Sequence, residues 1–257
     1  MRAFLVMLIL GVILVSSAQV NSPRAIEKGP VYVLDSIVDT LVLPCFCDSQ
    51  GRKISSTTRV FYPVFKGELA WLNEEVEKMV LMEANLDSLP SPKIKNYFVE
   101  YNRMFNQYLS DSGSIDWYCD NSCGVESLSD SLVTLSQGAE MYTGGAHPYH
   151  YACIRTFHLR KRKMMRLSDY LKRATDTVAI KNMALKELRK TKNLKPGERL
   201  DDEGSMFITD ETFYLSNNFY FTDSTLSFFY NDYEVQAYAF GPVEISLPKI
   251  KLKGLLK

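Results

Sequence analysis

Polar and apolar residues alternate from Val31 to Val42, many of them β-branched, which predicts a strand. A second strand is expected from Arg59 to Phe65, ended by Pro63 and Gly67. The period then changes. Leu69, Leu72, Val76, Met79, Val80 and Leu86 fall on one side of a helix expected from about Glu68 to Leu86, with Glu74, Glu75, Glu77 and Lys78 on the other. Pro90 and Pro92 stop it. A second helix is expected from about Lys93 to Leu109, striped by Ile94, Tyr97, Phe98, Tyr101, Phe105 and Tyr108. An aromatic stripe at this spacing belongs to a core.

Strand-like runs follow from Trp117 to Asn121, Ser127 to Ser136 and Tyr149 to His158. A glycine-rich loop links the last two, which predicts a hairpin or an adjacent pair. Arg160 to Lys163 is a basic turn, and Ser168 is the expected N-cap of a short helix with Asp169 in its first turn. A further helix covers about Thr177 to Lys190, buried through Ile180, Met183, Ala184 and Leu188. Leu194 to Gly204 is a polar connection. Beyond Met206 the chain turns β-rich, in short runs at 206–208, 212–215, 219–222 and 226–230, with Asn217-Asn218 as a tight-turn signal. Gly241-Pro242 opens a last strand, Val243 to Leu247. This order predicts an α+β fold of mainly antiparallel sheet, with helices packed on one side, in two sub-modules over 19–160 and 161–257.

The first residues alter the compartment. Met1-Arg2, an apolar run from Phe4 to Val15 and then Ser16-Ser17-Ala18 read as a signal peptide over 1–18. The competing reading is an uncleaved anchor, although the run falls short of the about 20 residues a span needs. Export places the mature chain in the periplasm or outside the cell. No Cys follows the cleavage site, so a lipid anchor is not indicated. Removing Arg2 from the 30 basic residues leaves 29 against 30 Asp and Glu, and so even a balance argues against a dedicated nucleic-acid binder. The distribution is uneven. Arg155 to Arg199 holds 15 basic and four acidic residues, and Leu200 to Pro248 holds nine acidic and no basic ones. The basic block is a solvated face, a partner for the acidic segment, or a weak contact with anionic envelope surfaces.

Five cysteines lie in the mature chain, and export makes disulfides the default. Cys45 and Cys47 share a strand face, so each seeks a partner elsewhere, with Cys119 and Cys123 the natural candidates. Such a bridge closes about 75 residues and adds about 4 kcal/mol in the chain-entropy picture. Cys153 is left over. The same cysteines with His147 or His150 offer a zinc site as the alternative, at no standard finger spacing.

Two segments carry candidate chemistry. In Tyr142-Thr143-Gly144-Gly145-Ala146-His147-Pro148 the glycines allow a turn and Pro148 holds His147 extended, so the loop displays Tyr142, His147, Tyr149 and His150. The second runs from Phe229 through Asn231, Asp232, Tyr233, Glu234 and Val235 to Tyr238 and Pro242. Tyrosines there either serve recognition or cap a sheet edge. There is no Walker loop, no His-Glu-x-x-His helix and no Gly-x-Ser-x-Gly elbow. Acid–base chemistry at His147 would need an orienting carboxylate, Asp232 or Glu234.

Tyr-Thr-Gly-Gly-Ala-His-Pro at 142–148, followed by a strand, resembles the end of the N-terminal module in a family of secreted domains of unknown function. That family includes the ectodomain of the lysozyme-sensing anti-sigma factor RsiV and the accessory region of a peptidoglycan deacetylase. Phe229 to Val243, running on to Ile245, is similar to its second module, and Leu167-Ser168-Asp169-Tyr170-Leu171 to its helix entry. The resemblance implies an α+β envelope protein that binds a lysozyme-like protein or a peptidoglycan fragment. It brings no catalytic residue, cofactor or metal. The sequence thus reads as a non-enzymatic recognition protein, with Tyr142, Tyr149, Tyr233 and Tyr238 as contact area and His147, His150, Asn231 and Glu234 as hydrogen-bonding groups. The second reading is a small hydrolase of envelope polymers with His147 as base.

Overall fold

Six strands form one sheet in chain order: β1 (Tyr32–Cys47), β2 (Lys53–Phe65), β3 (Trp117–Leu128), β4 (Leu132–Tyr142), β5 (Tyr149–His158) and β6 (Lys163–Met164). The structure is a computed structural model and describes residues 32–47, 51, 53–82, 93–110 and 115–257. The signal peptide expected over 1–18 lies outside these residues, as do the side chains of Cys45 and Cys47. All neighbouring strands run antiparallel except β2 and β3, which are parallel. A parallel pair needs a crossover, and two helices supply it, α1 (Leu72–Met82) and α2 (Ile94–Ser110).

The helices cover one face of the sheet. Leu72, Val76, Met79, Val80 and Leu81 of α1 and Ile94, Tyr101 and Phe105 of α2 are buried there. The aromatic stripe of α2 closes around Trp117, with Tyr101, Phe105 and Tyr108 at ring distances of 5.7, 5.3 and 4.9 Å. Asn121, buried under α1, donates to the Val80 carbonyl at 3.1 Å, one of the acceptors a helix leaves unpaired at its C-terminus. Gln137 in turn donates to Asn121 at 2.9 Å.

A second sheet comprises β7 (Phe219–Phe221), β8 (Thr225–Tyr230) and β9 (Val243–Pro248), all antiparallel. Two helices precede it, α3 (Leu167–Tyr170) and α4 (Asp176–Thr191). Ile180, Ala184 and Leu188 recur every fourth residue along α4 and join Leu226, Phe228, Ile245 and Leu247 in a separate buried cluster. Tyr230 is 0% exposed; its hydroxyl donates to the Tyr214 carbonyl at 2.6 Å and accepts the Ser216 N–H at 3.3 Å. Fold class is thus α+β with a mainly antiparallel sheet and few helices.

Several expected elements change. The run from Ser127 to Ser136 is two strands, because Ser129-Asp130-Ser131 makes a turn in which the Ser129 N–H meets the Leu132 carbonyl at 2.8 Å. Asn217-Asn218 is no hairpin turn; the β7–β8 turn closes at Thr222 and Thr225 instead, at 3.0 Å. Runs 206–208 and 212–215 are not strands: Met206 makes a single bridge to Gln236, and Phe213 is a core plug on a turn with Thr209. Ser168 does not cap α3. Asp169 does so from inside the helix, accepting the Arg166 N–H at 2.8 Å. The basic and acidic segments meet in part, through Arg189 with Asp210 and Arg199 with Glu211.

The two sheets meet along the outer edge of β5. The Asn218 amide accepts the Ile154 N–H at 2.8 Å and donates to the Ala152 carbonyl at 2.8 Å, as a neighbouring strand would. Asn231 Oδ1 accepts the Ala152 N–H at 2.7 Å. Side-chain amides thus stand in for a missing strand over residues 152–154. Asn218→Ala is expected to cost about 2 kcal/mol or more, because it strips partners from two edge groups at once. Asn218→Asp retains an acceptor for Ile154 but sets an oxygen against the Ala152 carbonyl, so it should recover less than half of that loss in denaturant melts.

Candidate functional site

Strand alternation sets the site on the sheet face opposite the helices. Glu140 on β4 lies directly across from His150 on β5, and Tyr118 on β3 directly across from Tyr142. Tyr118 donates its hydroxyl to Glu140 Oε1 at 2.7 Å. Burial, with help from that carboxylate, raises the Tyr118 pKa, so the phenol stays a donor.

The loop between β4 and β5 lifts His147 off the sheet. Gly144 and Gly145 have φ of 106° and 99°, and a Cβ on Gly144 would come within 3.0 Å of Ile115 Cδ1. Tyr142 pins the loop by donating to the Gly145 carbonyl at 3.0 Å. His147 Nδ1 lies 2.9 Å from the Pro148 carbonyl, an acceptor only, so Nδ1 carries the proton. Nε2 is then the acceptor, and it takes the Tyr233 hydroxyl at 3.0 Å.

The partner segment follows β8. Asn231 to Glu234 form a tight turn, the Glu234 N–H reaching the Asn231 carbonyl at 3.1 Å. The Glu234 carboxylate clamps it by accepting the Asn231 N–H at 2.8 Å and the Tyr214 hydroxyl at 3.0 Å. Tyr233 sits inside this turn at φ 63°, a strained conformation for a bulky side chain. The residue is 51% exposed. Tyr238 stacks on His147 with ring centroids 3.5 Å apart and planes 10° from parallel.

His150 ties the two halves together beneath this stack. Its Nδ1 lies 3.3 Å from both Asp232 Oδ2 and the Tyr238 hydroxyl, and its Nε2 lies 3.9 Å from Glu140. Burial raises the Asp232 carboxyl above its ordinary value against the pull of His150.

The structure therefore brings together His147, His150, Tyr233 and Tyr238, with Tyr142 beneath the loop, whereas Tyr149, at the same strand parity as Cys153, is exposed on the face away from His150. Asn231 and Glu234 face inward: one caps the β5 edge and the other clamps the turn. Neither carboxylate expected to orient His147 bonds to it, since Asp232 serves His150 and Glu234 serves Tyr214. Tyr118, Glu140 and Asn218 were missed. The first two were readable as even-numbered positions on the face that carries His150; Asn218 gave only a turn signal.

The cysteines sit elsewhere. Cys119, Cys123 and Cys153 are buried on the helix side of the sheet, and Cys123 and Cys153 carry free thiols. Burial pushes the Cys123 thiol up to about 12, with Cys153 adding to the effect. Strand alternation turns Cys153 and His150 to opposite faces, which separates the two ligand types of the zinc alternative. Among the described residues no group of three or more His, Cys, Asp or Glu could hold a metal ion.

Residues 162–249 match the family model described as "Protein of unknown function (DUF3298)". The matched segment supplies Asp232, Tyr233 and Tyr238, whereas His147 and His150 come from the sheet before it. The fold likeness extends over both. A DUF3298 family member from Bacteroides fragilis is 21% identical, with a TM-score of 0.64 over 88% of this chain and 94% of that one. A DUF3298 family protein from Pseudomonas aeruginosa is 20% identical, with a TM-score of 0.62 over 89% and 95%. At such identities the likeness is one of fold. No curated protein matches the chain.

The raised Asp232 carboxyl has a measurable consequence. A carboxyl whose folded pKa exceeds its unfolded value, about 3.9, takes up a proton on folding between the two values. Its contribution to stability is full below that pH and is lost as pH rises through the folded value. Asp232→Asn removes this loss, so the stability of the variant relative to the parent should climb as pH rises through the window. A difference that stays flat with pH would contradict the assignment.

Proposed function

We propose that this chain is an exported, non-enzymatic recognition protein of the cell envelope, docking a lysozyme-like protein or a peptidoglycan fragment on the face built by residues 142–150 and 231–238. The observation that carries the proposal is the stack of His147 on Tyr238, with Tyr233 bonded to His147 Nε2. Two segments far apart in sequence are locked into one aromatic platform, and its outer member, Tyr233, is exposed. Tyrosine gives large contact area at low entropic cost, and a pre-ordered set reduces the cost of binding further. The strained turn under Tyr233 fits such a role, since strain retained at an exposed side chain favours presentation over packing. Compartment and ligand class rest on the leader-like first 18 residues and on the resemblance to RsiV-type secreted domains.

The hydrolase reading has weaker support at the same residues. His147 Nε2 already accepts the Tyr233 hydroxyl, its Nδ1 proton is held by the Pro148 carbonyl, and among the described residues no carboxylate bonds to the ring. A general base needs a lone pair turned toward its substrate.

Calorimetric titration with a lysozyme and with soluble peptidoglycan fragments tests the proposal. One of these ligands should bind. His147→Ala and Tyr233→Asn should each weaken it by about 1–2 kcal/mol. Asn tolerates positive φ, so the second variant should keep parental stability to within about 1 kcal/mol while losing the contact. Release of fragments from intact peptidoglycan, abolished by His147→Ala, would overturn the proposal in favour of the hydrolase.

A further inference from the structure

The seam between the two sheets holds a second feature, independent of the aromatic platform. Asn218 caps the β5 edge as far as the Ile154 N–H, and the next capped group is the Thr156 carbonyl, which accepts the Met165 N–H at 2.7 Å. β6 pairs only with Phe157 and His158. Between these points a cavity of about 350 Å³ opens, with Arg155, Thr156, Met164 and Arg166 on one side and Asn217 and Phe219 on the other. Strand alternation turns the Thr156 N–H to the same edge as its carbonyl.

The charge around this cavity is uncompensated. Of nine described arginines, five have carboxylate partners: Arg59 with Asp120, Arg103 with Glu100, Arg173 with Asp176, Arg189 with Asp210 and Arg199 with Asp201. The other four are Arg155, Arg160, Arg162 and Arg166, and none forms an ion pair among the described residues. No Asp or Glu lines the cavity. The neighbouring carboxylate, Asp169, is already taken by Lys163 at 2.7 Å and by the Arg166 N–H at 2.8 Å. The Arg155 side chain has soft sulfur partners and no carboxylate: Nη1 reaches the Met164 sulfur at 3.6 Å, and the guanidinium also meets the Cys153 thiol. A half-buried Arg155 and an exposed Arg166 beside this recess, with no Asp or Glu in its lining, make a field that gathers anions.

We propose that this cavity binds an oxyanion, a carboxylate or a phosphate, on a ligand with a short apolar body. The Arg155 and Arg166 guanidinium forks and the Thr156 N–H hold the anion, and Met164 and Phe219 flank the apolar part. The basic block thereby gains a local purpose that does not depend on the 142–150 loop.

Titrating the full-length mature chain with hexanoate, hexyl phosphate, inorganic phosphate and hexanol, followed by calorimetry, tests this. Hexanoate or hexyl phosphate should bind saturably, inorganic phosphate more weakly and hexanol not at all; the tighter of the first two distinguishes a carboxylate-bearing ligand from a phosphate-bearing one. Arg166→Gln should weaken binding about tenfold or more. Arg160→Gln, which removes a charge from the adjacent turn, should change it by less than about threefold at physiological salt. Arg166 is exposed, so its variant remains informative if Arg155→Gln fails to fold. The proposal is overturned if no anion binds saturably, if hexanol binds as well as hexanoate, or if the two arginine variants lose affinity equally.

Discussion

The structure depends on how it covers one edge of a β-strand. β5 is paired along its inner edge, while its outer edge has a strand neighbour only at Phe157 and His158. An edge left with open N–H and C=O groups is an invitation to pair with another chain. Here Asn218 and Asn231 fill the positions of a missing strand, at 2.7–2.8 Å from Ala152 and Ile154. A side-chain amide offers the same donor and acceptor as a peptide group, so two residues flanking strands of the second sheet complete the ladder without lengthening it.

That cover fixes everything built along the seam. Asn231 is both the cap on Ala152 and the first residue of the turn that holds Tyr233 at positive φ. Two residues before Ala152, His150 meets Asp232 and Tyr238, and the loop just ahead of β5 sets His147 against Tyr238. The geometry of the platform thus follows from the edge pairing. In the other direction the caps stop at Ile154, and the arginine-lined cavity begins there.

Much of this was legible in the sequence, for physical reasons that can be named. Periodicity located α2 and its stripe because Ile94, Tyr101 and Phe105 bury a continuous face around Trp117. Gly144, Gly145 and Pro148 announced a shaped loop because few other residues allow its backbone. Other features were hidden. Met206 and Phe213 looked like strand residues, but apolar runs of three or four carry no sign of whether they pair or simply plug a core. Asn218 looked like a turn residue, because nothing local shows that its amide will meet a strand 64 residues earlier. Long-range pairing of polar groups leaves no periodic trace, which is why Asp232 could be assigned to His147 when its partner is His150.

Amide hydrogen exchange along β5 tests the central claim most directly. The account expects the Ala152 and Ile154 amides, held by Asn231 and Asn218, to exchange within about tenfold of the Cys153 amide, which lies on the paired edge. Exchange of Ala152 and Ile154 at the rate of an open strand edge, with Cys153 protected, would show that the asparagines do not close the ladder and would contradict the account.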